Sequence, residues 1–344
     1  MASSLDNPAW LEWLTSLMGG GERRSYAATL PPDRFSCLLD ELPFHLTPRI
    51  SLRTLRRREN RGQALYLNPE CTVCAAGSLP EEIAERKALL SGFALQGTVA
   101  WVRGLSGNLV PFWLGPQLED AVGRLRPQEP VSPCVSESSQ RLLAASNILV
   151  PKDRTDAHQE ETMSRASSNF RAKGYAPLGD LIHPFHIAAL RRYYRYLIRT
   201  GAIRLGDGQS PRRYVAYNEP VARFFHHDLA STLSAVAGES LKPSYVYLAS
   251  YLSGAELKKH TDREQCEFSI TLCLDFSPEP ELATPWPIRL DTAAGTVTVY
   301  QAPGDGLAYR GTRLPHYREP LGKGQTSTSI FFHYVRDDFA GSLD

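Results

Sequence analysis

A chain of 344 residues with 38 Lys and Arg against 37 Asp and Glu has a formal net charge of +1, so it lacks the global field that gathers nucleic acid or a membrane surface. With 42% hydrophobic and 10% aromatic residues it can bury a sizeable core, yet no run approaches the ~20 apolar residues of a membrane helix. Its cysteines (Cys37, Cys71, Cys74, Cys134, Cys266 and Cys273) are too sparse for a disulfide scaffold, so a reducing, cytoplasmic setting is expected.

The opening residues, MASSLDNPAW, have neither the basic nor the apolar region of a secretory signal. Trp10, Leu11, Trp13, Leu14 and Leu17 are spaced for an amphipathic helix that Gly19-Gly20-Gly21 stops. Residues 31–75 have breakers at Pro31, Pro32 and Pro43 and no period, and the basic cluster 53–61 reads as a solvated helix face. Cys71 and Cys74 form a lone CxxC, without the second pair a zinc site would want. Ser78 and Glu81 make a capping box, with Pro80 in the first turn, for a helix to about Leu90. Residues 98–103 and 109–113 read as a hairpin, with helices expected around 116–125 and 136–145. This pattern suits a mixed, mainly helical accessory module over 1–150, winged-helix-like, that binds a partner or braces the C-terminal half.

Residues 151–173 are nearly free of large apolar side chains and read as a linker or lid. Beyond them, helices are expected over 184–200, stopped by Gly201, and over 218–238, with Asn218 as cap and Pro220 in the first turn. Strands begin at Ser244, where Tyr245, Tyr247, Ala249 and Tyr251 share a face. Residues 268–276 alternate strictly, with Phe268, Ile270, Leu272, Leu274 and Phe276 on one face and Ser269, Thr271, Cys273 and Asp275 on the other. Further strands fall at 296–302, 306–311 and 327–335. The expected fold of 174–344 is α+β, a double-stranded β-helix (jelly-roll) with supporting helices.

The chemistry concentrates in this half. His260-Thr261-Asp262 is followed, after the 53 residues from 263 to 315, by His316. On a strand, residues i and i+2 share a face, so His260 and Asp262 become neighbours. A second imidazole from a neighbouring strand completes a 2-His-1-carboxylate triad, which holds ferrous iron by one face and leaves positions open. His226 and Asp228 have the same spacing but fall in the 218–238 helix, where i and i+2 point about 200° apart and cannot share a metal. His183 and His186, flanking a helix start, read as structural.

With Tyr251, Gly254, His260-x-Asp262, the stretch Gly304-Asp305-Gly306-Leu307 and His316, residues 174–335 resemble the prolyl-4-hydroxylase-like branch of the 2-oxoglutarate/Fe(II) oxygenases. The resemblance covers about half the chain. It implies Fe(II), 2-oxoglutarate and O2 as cofactors, with ascorbate as a stimulant, and a tyrosine at 251 that hydrogen-bonds the co-substrate. It also implies hydroxylation of an amino acid, a peptide residue or a small natural product, or desaturation. The carboxylate of Asp262 excludes halogenation, which needs a small residue there.

One departure stands out. The family places an Arg or Lys about ten residues after the distal His, to clamp the far carboxylate of 2-oxoglutarate. This chain reads Gly324-Gln325-Thr326-Ser327-Thr328-Ser329 there. A buried carboxylate needs a fixed cation, so a substitute is expected: Arg318 first, then Lys323, with Ser327 or Ser329 adding a hydroxyl and Arg289, Arg310 and Arg313 in reserve. Arg263, Glu264, Gln265, Glu267, Arg310 and Arg313 are candidates for orienting a polar substrate. Tyr245, Tyr247 and Tyr309 read as core. Two other readings stay open: a metal-binding jelly-roll without 2-oxoglutarate turnover that acts as a partner-binding module, and a cupin-like enzyme using iron or manganese alone.

Overall fold

Turn chemistry and strand period set the elements in chain order. The computed structural model describes residues 30–44, 63–104, 106–152, 157–179 and 181–344. The expected helix over 10–17 and the basic cluster 53–61 lie outside the described residues. In the N-terminal region β1 (Leu65–Leu67) pairs with β5 (Leu149–Pro151), and β2 (Cys71–Cys74), β3 (Thr98–Arg103) and β4 (Leu109–Leu114) form a second sheet. The expected hairpin is β3–β4, in register from Thr98 opposite Leu114 to Arg103 opposite Leu109. The helix expected over 78–90 is broken: α1 (Glu81–Ala84) has Pro80 at its N-cap with no side-chain cap, and a 3-10 turn covers Lys87–Leu90. Helices α2 (Pro116–Gly123) and α3 (Glu137–Ala145) fall where expected, and Ser136 caps α3 by accepting from the Ser139 amide.

The stretch expected as a linker or lid contains α4 (Ala157–Lys173), and this is a correction. Its polar face hid a single anchor. Phe170 is fully buried and stacks on Phe268, and Ala166 is buried one turn before it, so the 17-residue polar helix packs through a narrow apolar stripe. Buried residues from Phe35 to Tyr334 belong to one apolar cluster that includes both of these.

Strand β6 (Tyr175–Leu178) is followed by α5 (Pro184–Arg199), and then β7 (Arg204–Leu205) and β8 (Arg213–Tyr217). The helix expected over 218–238 is two, α6 (Pro220–Asp228) and α7 (Ala230–Ala237), meeting at Leu229. Glu219, not Asn218, is the N-cap of α6. Strands β9 (Leu241–Tyr251), β10 (Leu257–His260), β11 (Phe268–Ser277), β12 (Ile288–Thr292), β13 (Gly295–Val299), β14 (Gly306–Tyr309), β15 (His316–Arg318) and β16 (Thr326–Arg336) complete the chain. They form a seven-stranded sheet, β6-β14-β11-β16-β9-β8-β7, and a four-stranded sheet, β10-β15-β12-β13, with every ladder antiparallel.

Period two decides which side chains meet what. Phe268, Ile270, Leu272 and Leu274 of β11 and Ile330, Phe332 and Tyr334 of β16 join the helices in the main core. Ile288 and Leu290 of one sheet pack on Leu307 and Tyr309 of the other, closing the two sheets face to face. The strict alternation expected for 268–276 fails at one place. The register slips between Cys273 and Asp275, so Leu274 is the extra residue of a β-bulge. Past the bulge Asp275 turns to α5, where Arg191 Nε (2.9 Å) and Arg195 Nε (2.6 Å) donate to it, and Phe276 turns inward against Tyr251 and Trp286.

Candidate metal centre

Strand pairing brings the expected triad together. His260 ends β10 and His316 begins β15, and the two are directly opposed in the ladder, with ring centroids 4.4 Å apart. Asp262 follows β10, held by its amide donating to Gly311 O at 2.9 Å. Its Oδ1 lies 3.6 Å from His260 Nε2 and 3.5 Å from His316 Nε2. Gly311 allows this approach: a Cβ there would sit 2.2 Å from Asp262 Oδ2 and 2.4 Å from Cys266 O.

The outer nitrogens are committed. His260 Nδ1 donates to Lys258 O at 2.7 Å and His316 Nδ1 to Leu314 O at 3.0 Å. A carbonyl only accepts, so each Nδ1 carries the proton and each Nε2 presents a lone pair toward Asp262 Oδ1. Either a proton or a cation must fill that space. The proton version is visible in the charges. The bond to Asp262 raises the His260 pKa against the effect of burial. Burial pushes the Asp262 carboxyl up, but His260 and the imidazoles of His316 and His333 outweigh it and hold it below its usual value. Burial lowers the pKa of His316. The donor set, two Nε2 atoms and a carboxylate within 4.8 Å of one another, fits a ferrous ion.

The triad opens onto a cleft of about 1260 Å³, wide enough for a co-substrate and a substrate together. Tyr251 lines it from the end of β9, its hydroxyl 3.4 Å from Arg213 Nη1. Tyr245, Tyr247 and Tyr309, expected as core, also line it. Of the six substrate candidates only Arg263 does, stacked 4.6 Å over the Tyr245 ring. After Asp262 the chain makes a 3-10 turn, Glu264–Cys266, which scatters the side chains instead of alternating them. Glu264 is exposed, Gln265 offers its carbonyl to Ser244, and Glu267 pairs with Arg336 at 3.3 Å. Arg310 pairs with Glu239 at 2.9 Å over the Phe268 ring, and Arg313 is exposed. These five do not line the cleft.

Among the co-substrate candidates the structure separates Arg318 from the rest. Lys323 is exposed in a turn outside the cleft, and Arg289 faces Glu319 at 3.9 Å. Arg318, two residues beyond His316 on β15, is 4% exposed and, like Thr271, Ser327 and Ser329, is not among the residues that line the cleft. Its Nη1 donates to Trp286 O at 2.5 Å and its Nη2 to Gln301 Oε1 at 3.0 Å, with the guanidinium 4.8 Å over the Trp286 ring. Among the described residues no carboxylate pairs with it, and its Nε has no partner. Burial lowers its pKa, as expected of a cation shut away from a counter-ion. Two more buried donors without partners lie on strands of the facing sheet, Thr271 Oγ1 and Ser329 Oγ. Gln301 links the group by donating to Thr271 O at 2.9 Å, and Ser329 is opposite Cys273, next along that face from Thr271. Ser327 is buried on the same strand.

Sequence reasoning missed Arg213, Cys266 and His333. Arg213 is opposite Tyr251 in the β8–β9 ladder, and its Nε is bonded to Asp207 at 3.0 Å. His333 was within reach of the period-two rule, since Ser327, Ser329, Phe331 and His333 recur on one face of β16. Nothing local marks Arg213 or Cys266.

No family model and no curated protein matches the chain. Solved structures similar to it over about half its length include several 2-oxoglutarate/Fe(II) enzymes. The non-heme alpha-ketoglutarate-dependent epimerase SnoN from nogalamycin biosynthesis has a TM-score of 0.44 and 13% identity, covering 52% of this chain and 83% of its own. A Pseudomonas putida prolyl-4-hydroxylase has a TM-score of 0.42 and 16% identity, covering 51% and 98%. HygX from Streptomyces hygroscopicus, solved with nickel, 2-oxoglutarate and hygromycin B, has a TM-score of 0.41 and 12% identity, covering 51% and 88%. Among the described residues no helix is long and apolar enough to cross a membrane.

Proposed function

We propose that the two facing sheets are a jelly-roll and that the chain is an Fe(II)- and 2-oxoglutarate-dependent dioxygenase. It would hydroxylate an unactivated C–H of an amino acid, a peptide residue or a small natural product. The observation that carries this reading is Arg318. A guanidinium buried without a carboxylate is costly, and the cost is offset when an anion arrives to meet it. It lies two residues from a metal ligand on the same strand face, beside two hydroxyls that also want partners. A dicarboxylate held at the triad by one end would satisfy these groups if its second carboxylate reached them. Asp262 beside two neutral imidazoles supplies one negative charge to a dication, leaving charge for an anionic ligand to balance.

In this reading His260, Asp262 and His316 hold the metal, and the hydrogen bonds to Lys258 O and Leu314 O fix both imidazoles in the ligating tautomer. Arg318, with Ser329 and Thr271, binds the far carboxylate two-pronged, which a lysine could not do. Tyr251, opposite Ser327 in the β9–β16 ladder and so on the same sheet as Ser329 and Thr271, orients the co-substrate, its hydroxyl set by Arg213. When bound, ferrous iron with 2-oxoglutarate and O2 supplies an oxidant able to take hydrogen from a C–H bond, with succinate and CO2 as co-products. Tyr245, Tyr247 and Arg263 form the outer wall on which a substrate rests.

The test is an anaerobic Fe(II) titration with and without 2-oxoglutarate, following the metal-to-ligand charge-transfer band. Arg318→Ala should raise the 2-oxoglutarate Kd by roughly 10–100-fold, the loss of a charge-assisted pair worth ~1.5–3 kcal/mol, while iron affinity barely moves. Lys323→Ala should change neither. An unchanged Kd in Arg318→Ala, or no band in the native chain, overturns the assignment.

A further inference from the structure

Beside the triad, and sharing Asp262 with it, lie two donors that the proposed reaction leaves unused. Cys266 Sγ, a ring nitrogen of His333 and a carboxylate oxygen of Asp262 all lie within 4.8 Å of one another. Cys266 comes from the 3-10 turn after Asp262, and His333 from β16, where it is opposite Ser269. Both are buried, at 2% and 6% exposure, yet both line the cleft.

The hydrogen bonds around Ser269 decide which atom of His333 is available. Ser269 Oγ has one proton, and its acceptor-only neighbours are Asp262 Oδ2 at 3.2 Å and Cys266 O at 3.4 Å. When the Ser269 proton goes to Asp262 Oδ2, His333 Nδ1, 2.8 Å away, donates to Ser269 Oγ. In that tautomer its Nε2 keeps a lone pair, with no hydrogen-bond partner among the described residues. A ligating histidine shows this arrangement, one nitrogen tied to a neighbour and the other free. Asp262 is divided in the same way: Oδ1 faces the two triad imidazoles, and Oδ2 faces Ser269.

We propose that Asp262 Oδ2, Cys266 Sγ and His333 Nε2 form a second metal site, selective for a thiophilic divalent ion such as Zn(II), with Asp262 bridging it to the triad. The site rests on the triad reading only for that shared carboxylate. One thiolate, one imidazole and one carboxylate, with a fourth position open to the cleft, is a zinc donor set, and the thiolate disfavours Mg(II) and Ca(II). On binding, the Cys266 S–H bond breaks, its proton leaves to solvent and the S–Zn bond forms, so one proton is released per ion. The Tyr245 hydroxyl, 3.0 Å from Sγ, then donates to the thiolate. An ion here draws charge from Asp262 and weakens iron binding at the triad, which makes the site inhibitory.

The full chain, stripped of metal and titrated anaerobically with Co(II), tests this, because a cobalt–thiolate bond gives an intense near-ultraviolet charge-transfer band. The native chain should develop the band, and Zn(II) should bleach it stoichiometrically. His260→Ala should keep the band while losing the Fe(II)–2-oxoglutarate band. Cys266→Ala should lose the cobalt–thiolate band and keep the iron band. Cys266→Ser, which preserves the contact with Tyr245, gives the same readout if the alanine variant does not fold. No thiolate band in the native chain, or one that survives in both Cys266 variants, overturns the site and leaves the triad standing. A thiolate band in a chain that shows no Fe(II)–2-oxoglutarate band upholds the site and removes the proposed function instead.

Discussion

The chain carries two His-x-Asp triplets, and the fold treats them in opposite ways. His226 and Asp228 lie on α6, where their side chains diverge and each is satisfied separately. His226 Nε2 donates to His333 O at 2.7 Å, and Asp228 Oδ1 accepts from Ser106 Oγ at 2.7 Å. His260 and Asp262 straddle the end of β10, converge on one point, and leave lone pairs turned toward each other and toward His316. The same letters make a structural pair in one place and a metal-ready pair in the other. The difference lies in what the backbone leaves unsatisfied, and a ligand site is recognised by its unmet valences.

The largest expected effect separates the two triplets outright. Alanine at His260, Asp262 or His316 should abolish iron binding and 2-oxoglutarate turnover with the melting temperature little changed, whereas His226→Ala should leave iron binding intact. Full iron occupancy in His260→Ala would erase the distinction. Next comes the close approach that shapes the strand triplet. Gly311→Ala should push Asp262 aside and weaken iron binding by roughly 10–100-fold, the usual cost of disturbing a ligand's support. An unchanged iron isotherm would mean that the loop yields without moving the carboxylate.

The helical triplet should answer in stability instead. His226→Ala leaves the His333 carbonyl without its donor and should cost about 1–3 kcal/mol in urea unfolding, with no change in metal content. The smallest effect is in pH. Burial pushes the His226 pKa down to about 3, so the folded protein keeps it neutral. The unfolded chain takes up a proton below its ordinary value of about 6.5, so stability is full above that pH and falls as pH drops toward the folded value, by at most ~1.4 kcal/mol per pH unit. His226→Gln should flatten the unfolding free energy between about pH 6.5 and 5. An identical slope in the variant would assign that acid sensitivity to other groups.

Local pattern was enough for much of this protein. The β3–β4 hairpin, α2, α3 and α5 follow from period, caps and breakers within a few residues, and those signals act through the local backbone whatever surrounds it. His260, Asp262 and His316 were legible because strand geometry alone puts i and i+2 together, and the helical decoy was rejected by the same rule. Arg318 was reached by counting two residues from His316. The rest depended on partners distant in sequence. Helix α4 looked like a linker until Phe170 found Phe268, and the bulge at Leu274 answers to Arg191 and Arg195 on α5. That Arg318 has no counter-ion, that Arg310 is spoken for by Glu239, and that Cys266 and His333 meet across Ser269 are facts about space between strands. Sequence alone determined which groups could bind. Burial and register decided which of them still lack a partner, because a hydrogen bond or ion pair is satisfied by whatever the fold brings within about 3 Å, however far away it lies along the chain.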